Sequence, residues 1–295
     1  MRFGILTSGG DAPGMNAALR SFVLRAVELG VSVGGVRRGY LGLLAGDIIP
    51  FGVGDVRGII QRGGTVLRTA RCDEMFTGEG RRRAYEMARG EGLDALCVIG
   101  GDGTLQGARC LAELGLPTVC VPGTIDNDMD CTDMTIGFDT AVNIAVSAVD
   151  RLRDTTESHE RCAVVEVMGR SSGKIAETCA IASGALAALV PERDADLEKV
   201  LFAPLRSGAQ HMNIVIVSEG YRLPSRKVAK LIEENTGYES RLTVLGHIQR
   251  GGAPSAFDRV LAAKMGALAA ETLLRAEGSH ITVYRDGKVS VLKLS

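Results

Sequence analysis

Residues 2–30 read RFGILTSGGDAPGMNAALRSFVLRAVELG, and this stretch decides the fold class. The apolar run from Arg2 to Ser8 is too short for a helix and fits a buried strand. It breaks at a glycine-rich turn, Gly9-Gly10-Asp11-Ala12-Pro13-Gly14. There follows a helical repeat that brings Ala18, Phe22, Ala26 and Leu29 near one face and stops at Gly30. Strand, glycine turn and amphipathic helix together are the opening of a parallel α/β unit, since parallel neighbours need a long crossover, usually a helix.

The pattern repeats outward. VSVGGVRRGY, LDALCVIGG, LPTVCVP, CAVVEVMG, LAALVPE and NIVIVSEG read as further buried strands, with helical patterns in TAVNIAVSAVDRLRDT and SRKVAKLIEENTG, the latter again ending at glycine. This alternation predicts an α/β protein with mainly parallel sheets. A domain boundary is expected near residues 137–140 and a return crossing near 250. The last long helix, APSAFDRVLAAKMGALAAETLLRAEG, then packs back on the first domain. HITVYRDGKVSVLKLS closes the chain as a hairpin turning at Asp286-Gly287.

Composition narrows the partners. The 295 residues carry 34 Lys plus Arg against 35 Asp plus Glu, a net charge of −1, which favours neither nucleic acid nor an anionic membrane. With 45% hydrophobic residues the chain can bury the cores of two ordinary domains. No apolar run is long enough to span a membrane, and the first residues lack the features of a signal peptide, so a cytoplasmic protein is expected. Seven cysteines without a C-x-x-C pair, and four His, suggest reduced packed thiols rather than a metal framework. Absence of Trp and 4% aromatic residues argue against stacking platforms. Glycine, at 38 residues, is about twice its usual share and gathers at the ends of apolar runs, where backbone can approach a ligand. The first lysine is Lys174, so an anion held by the first half must meet arginine, backbone N–H groups or a metal ion.

Ligands of parallel sheets bind beyond the carboxyl ends of strands, and those positions are rich here. The Thr7–Asn16 turn opens a helix as an anion site would, yet lacks the ending of a Walker A loop; by itself it could be only a tight turn. Gly100-Gly101-Asp102-Gly103-Thr104 sets a carboxylate among glycines, where it could reach a metal ion or serve merely as a turn residue. In Pro122-Gly123-Thr124-Ile125-Asp126-Asn127-Asp128, extended backbone would send both acids to one side. They could divide proton transfer and orientation, or one could cap a turn. Arg71, Arg161, Arg170, Arg241 and Arg250 stand beside strands or glycine turns, as phosphate ligands or solvated groups. His247 with Arg250 in Gly246–Gly252 could anchor a phosphate, or His247 could be structural. A glycine cradle, a metal-binding acid, a base and several arginines are what phosphoryl transfer needs.

GGDAPGMN at 9–16, GGDG at 100–103, PGTIDND at 122–128, VEVMGR at 165–170, SEG at 218–220 and GHIQRGG at 246–252 make the chain resemble the bacterial 6-phosphofructokinases from residue 2 to about residue 280. GGDG alone is shared with other kinases; PGTIDND followed by GHIQRGG is specific. The resemblance implies two Rossmann-like three-layer αβα domains. Residues 1–138 with 251–295 would bind ATP and residues 139–250 fructose 6-phosphate. It implies transfer of a phosphoryl group from MgATP to the sugar's 1-hydroxyl. Asp126 would be the general base, assisted by Asp128 and Thr124, with Arg170 beside them. Asp102 would hold Mg2+, and Gly10 and Arg71 would contact the transferring phosphate. Tyr40, Cys72, Gly101, Gly103, Thr104 and Gly107 would surround the nucleotide. Met168, Gly169, Arg170 and Glu219 would hold the sugar, and His247 with Arg250 its 6-phosphate. Arg161 and Arg241 would reach that phosphate in a neighbouring subunit, which implies a homotetramer.

The family's pyrophosphate-using members carry Asp and Lys where this chain has Gly103 and Gly123, so ATP is the expected donor. The effector site of the allosteric members is altered: by alignment, basic positions there are Leu24, Val53, Gly208 and Gln210 and an acidic one is Leu186, while Arg20 and Arg153 remain. Loss of several charge-assisted contacts, each worth about 1.5–3 kcal/mol, predicts weak control by ADP or phosphoenolpyruvate. The chain also ends short of typical members, so the last helix of the second domain is expected to be missing. Arg68 adds a cation to the loop before Arg71 where small residues are usual. A kinase for another sugar phosphate, such as tagatose 6-phosphate, and a non-catalytic sugar-phosphate sensor are the alternatives.

Overall fold

The computed structural model describes residues 1–208, 213–275 and 277–294; Gln210 of the altered effector set lies outside them. The chain forms β1 (Arg2–Thr7), α1 (Met15–Glu28), β2 (Ser32–Val36), α2 (Gly39–Leu44), β3 (Ile48–Pro50), α3 (Gly78–Gly90), β4 (Ala95–Gly100), α4 (Asp102–Glu113), β5 (Thr118–Thr124), β6 (Ile136–Gly137) and α5 (Phe138–Ser158). It continues through β7 (Cys162–Val167), α6 (Lys174–Ser183), β8 (Ala187–Leu189), α7 (Ala203–Ser207), β9 (Ile214–Ser218), α8 (Ser225–Thr236), β10 (Ser240–Val244), α9 (Ala256–Leu273), β11 (Ser279–Arg285) and β12 (Lys288–Leu294).

Two compact units result: residues 1–125, 129–139 and 250–295 form one, and 126–128 with 140–249 the other. The first carries a sheet in the order β12-β11-β5-β4-β1-β2-β3, with β6 beside the end of β5. Its interior pairings are parallel, and the edge strands β12 and β3 run antiparallel. Strand alternation divides the apolar side chains between the two faces. Leu6, Leu96, Val98 and Ile281 join Leu43, Ala84 and Leu111 of α2, α3 and α4 in one core. Phe3 meets Phe22 of α1, ring to ring at 6.3 Å. Helix α1 lies along α9 closely enough that a Cβ at Gly266 would sit 2.4 Å from Ala18 O.

The second unit holds a parallel sheet, β10-β7-β9-β8. Val164, Val215 and Val217 pack with Leu201, Leu205, Val228 and Ile232 beneath α7 and α8. Before α7, residues Glu198–Phe202 make one wide π-type turn. Strands β1, β4 and β5 of the first sheet and β7, β9 and β10 of the second lead into the motifs singled out above. Among the described residues no helix is long and apolar enough to cross a membrane.

Candidate active site

In the first unit the neighbours β5, β4 and β1 release three turns side by side. Ser8 N donates to Ile99 O at 3.0 Å, and Thr104 Oγ1 donates to Ser8 O at 3.0 Å. A Cβ at Gly100 would lie 2.5 Å from that Ser8 oxygen, so glycine lets the two turns touch. Gly101 precedes α4, with Thr124 Cβ 3.6 Å from where its own Cβ would be. Asp102 is the first residue of α4 and exposed, where the helix dipole favours an anion. A Cβ at Gly103 would meet nothing within 4 Å, so side-chain bulk there would project into open space. Thr124 is buried, its carbonyl accepting from Thr135 Oγ1 at 2.7 Å.

The loop bearing Arg71 is stitched to these turns. Thr69 Oγ1 donates to Gly9 O at 2.7 Å and Thr7 Oγ1 to Arg68 O at 2.9 Å. Buried Asn16 donates to Arg62 O and Gly63 O and accepts from Val66 N. Asn16 closes the GGDAPGMN motif, but these partners, 46 to 50 positions away, leave no local signal of the task. Arg71 is exposed and Cys72 half-buried. Arg68 adopts φ 61, the left-handed region that favours glycine over any residue with a Cβ. Tyr40 is buried, its hydroxyl donating to Thr104 O at 2.7 Å, and Gly107 leaves room for its ring, which a Cβ would approach to 2.7 Å. The contact shown for Tyr40 and Gly107 is thus with each other, at α4. Arg250 donates to Asp11 O at 2.9 Å, and its Nη1 would be 2.7 Å from a Cβ at Gly10. The guanidinium therefore lies against the glycine turn of the first unit.

In the second unit Asp126 is 2% exposed, and Arg170 Nε stands 3.6 Å from its Oδ2. Arg170 has φ 52 and Gly169 φ 144, a sharp turn at the end of β7. Glu219, at the end of β9, grips that turn, its Oε1 accepting from Gly169 N at 3.2 Å and Arg170 N at 2.9 Å. Fully buried Gln249 accepts from Met168 N at 2.8 Å, a positioning role that sequence reading missed because Gln249 is flanked by more conspicuous His247 and Arg250. Asp128 and His247 are exposed. Arg161 Nε donates to Glu239 Oε2 at 2.7 Å, while Arg241 pairs with the other oxygen of the same carboxylate. These arginines hold the Glu239 carboxyl below its usual range, Arg161 first by hydrogen bonding. Arg161 and Glu239 line an open cleft of about 1010 Å³ with His159 and Tyr238.

No three metal-ligating side chains gather among the described residues. Exposed Asp102 at a helix start suits a magnesium ion that arrives on phosphate oxygens and takes one carboxylate from the protein. Neutralising charge and positioning groups are what phosphoryl transfer asks of a protein, and these strand ends put the chain among the phosphotransferases.

Comparison with known proteins narrows the class. Residues 2–273 match the phosphofructokinase family, and the chain belongs to it. It is 50% identical over 291 residues to an ATP-dependent 6-phosphofructokinase of Clostridium botulinum, covering 98% of this chain and 91% of that protein. It is 51% identical over 298 residues to ATP-dependent 6-phosphofructokinase 1 of Thermus thermophilus, covering 99% and 92%. The structure of Pichia pastoris phosphofructokinase in the T-state superposes with a TM-score of 0.94 at 36% identity, over 99% of this chain and 34% of that longer one. This chain likewise spans 44% of the Saccharomyces cerevisiae phosphofructokinase chain. A pyrophosphate-dependent phosphofructokinase of Nitrosospira multiformis, 21% identical, shares the fold at a TM-score of 0.90 over 99% of this chain and 82% of that one.

Proposed function

We propose that this chain transfers the γ-phosphoryl group of ATP to the 1-hydroxyl of fructose 6-phosphate, giving fructose 1,6-bisphosphate and ADP, in the cytoplasm. The observation that carries the reading is the buried Asp126 carboxylate beside Arg170, on a turn of the family's PGTIDND motif. Asp126 takes the hydroxyl proton as the sugar oxygen attacks phosphorus and the bond to ADP oxygen breaks; Asp128 and Thr124 assist. Arg170 compensates charge and, with Met168, Gly169 and Glu219, holds the sugar. Gly10 and Arg71 cradle the transferring group, and the 100–107 turn and helix start take the nucleotide phosphates. Asp102 would hold Mg2+, which would supply charge neutralisation at those phosphates. His247 and Arg250 take the 6-phosphate, completed by Arg161 and Arg241 of a neighbouring copy in a homotetramer.

ATP as donor is supported by the glycines at 103 and 123, where the pyrophosphate-using members carry Asp and Lys; at Gly103 a Cβ would meet nothing within 4 Å. Weak effector control is supported by apolar or absent side chains at Leu24, Val53, Gly208 and Leu186. Arg153, moreover, already donates to Ser183 O at 2.5 Å. The test is ADP formation with MgATP and fructose 6-phosphate, with Asp126→Asn beside it, pyrophosphate as alternative donor and tagatose 6-phosphate as competitor. Asp126→Asn should lower kcat about 10²- to 10⁴-fold. A higher kcat/KM with pyrophosphate overturns the donor assignment. A folded wild-type protein that turns over none of these pairs is a sensor instead.

A further inference from the structure

Lys174, the first lysine of the chain, is also the first residue of α6. A cation there faces the positive end of the helix dipole, with Glu177 the one acid in that first turn and no side-chain cap at the helix start. The ammonium is committed elsewhere: Nζ donates to Asn127 O at 2.7 Å. Asn127 is 4% exposed and left-handed, at φ 49, between Asp126 and Asp128. Such a backbone persists where its surroundings over-determine it. The lysine grows from a fixed base. Glu192 accepts from Gly173 N at 2.7 Å, Ser218 Oγ donates to Ser172 O at 3.3 Å, and a Cβ at Gly173 would lie 2.4 Å from Val190 Cβ. Four residues earlier the same loop presents Arg170 to Asp126, with its own N–H held by Glu219.

We propose that Lys174 is a positioning residue for the general base. The loop grips the acid turn at two points: Arg170 at the Asp126 carboxylate and Lys174 at the Asn127 carbonyl. A charge-assisted hydrogen bond is stronger than a neutral one, and this one pins the peptide that joins the two acids. Without it the turn loses one of the restraints on the left-handed Asn127 backbone and holds Asp126 less firmly against the proton it must accept. Lys174 acts only through the turn, so substrate affinity should not depend on it.

This rests on the kinase reading with Asp126 as base, so the experiment has one arm that needs no activity. Backbone hydrogen exchange across residues 124–130 is compared in wild type, Lys174→Met and Lys174→Arg, alongside steady-state kinetics and melting temperature. Expected in Lys174→Met is faster exchange at the turn and an unchanged melting temperature. Its kcat should fall about tenfold or more, a loss of about 1.4 kcal/mol, with KM for ATP and fructose 6-phosphate preserved; Lys174→Arg should recover most of both. Unchanged exchange overturns the tether. Faster exchange with unaltered kcat, or a loss confined to KM, overturns the positioning role. An inactive wild type overturns the kinase reading instead, while exchange still decides the tether.

Discussion

At the residue scale, two glycines of the proposed site carry different constraints, and substitution separates them. A Cβ at Gly220 would lie 1.8 Å from Arg170 O, an immovable backbone atom, so Gly220→Ala must shift the turn that carries Arg170. Expected is a loss of stability of at least about 1–3 kcal/mol, as for overpacking, seen in denaturant melts, together with lower activity. At Gly10 the obstacle is the end of the Arg250 side chain, which can swing aside. Gly10→Ala should therefore melt close to wild type yet lose activity, because the displaced guanidinium no longer lies on the turn; comparing melting temperature with kcat/KM tests this. The thiols follow burial as well. Desolvation chiefly raises Cys72 above the ordinary thiol value and pushes Cys179 up to about 11 and Cys162 to about 12. Since the thiolate is the reactive form, Cys72 should alkylate more slowly at neutral pH than free cysteine, with the rate climbing only in alkaline solution; fast labelling that ATP blocks would contradict this.

At the element scale, the legible helices were those with large apolar residues at helical spacing: α1, α5, α8 and α9. Helix α3 gives no such signal, because GEGRRRAYEMARG buries only Gly80, Ala84 and Ala88, a stripe of small residues. Its start is fixed by Thr77, whose side chain accepts from Gly80 N. Helix α9 begins at Ser255, which accepts from Asp258 N at 3.2 Å and donates to Asp139 Oδ2 at 2.5 Å. Ser255→Ala removes both, so a loss of about 0.5–2 kcal/mol is expected from the cap, measurable by chemical denaturation. Asp286-Gly287 makes the tight turn of the closing hairpin, with φ 49 and 77, and Arg285 pairs with Lys288 across it. The Asp-Gly signal was sufficient because two left-handed residues in succession match the twist of the flanking strands.

At the scale of the whole molecule, the proposed sharing of Arg161 and Arg241 between copies has a direct test. Asp126→Asn and Arg161→Ala subunits, each nearly inactive alone, are mixed after dissociation. If sites are shared, random reassembly regenerates on the order of a quarter of wild-type activity, since one site of each mixed pair is intact; no recovery assigns Arg161 to its own chain's site. The Arg161–Glu239–Arg241 group also sets an acid dependence. Glu239 has a depressed folded value, so its contribution is present above the unfolded value near 4.5 and is lost as pH falls through the folded one. Melting temperature should decline in that acid window, and Glu239→Gln should flatten the decline.

Sequence alone determined the alternation of strands and helices, the glycine and acid motifs at strand ends, and the resemblance those motifs carry. These properties are local, set by side-chain periodicity and backbone freedom over a few residues. Tertiary structure decided the strand orders, with the terminal hairpin added beside β5. It also decided where the acids belong: Asp126–Asp128 precede the boundary drawn at residue 138, yet cluster with the second unit, where Arg170 stands beside Asp126 and Lys174 bonds Asn127 O. Lys174 meets Asn127 across 47 positions and Arg250 meets Asp11 across 239. No periodicity encodes such partners, because a hydrogen bond between distant residues depends on where the folded chain returns.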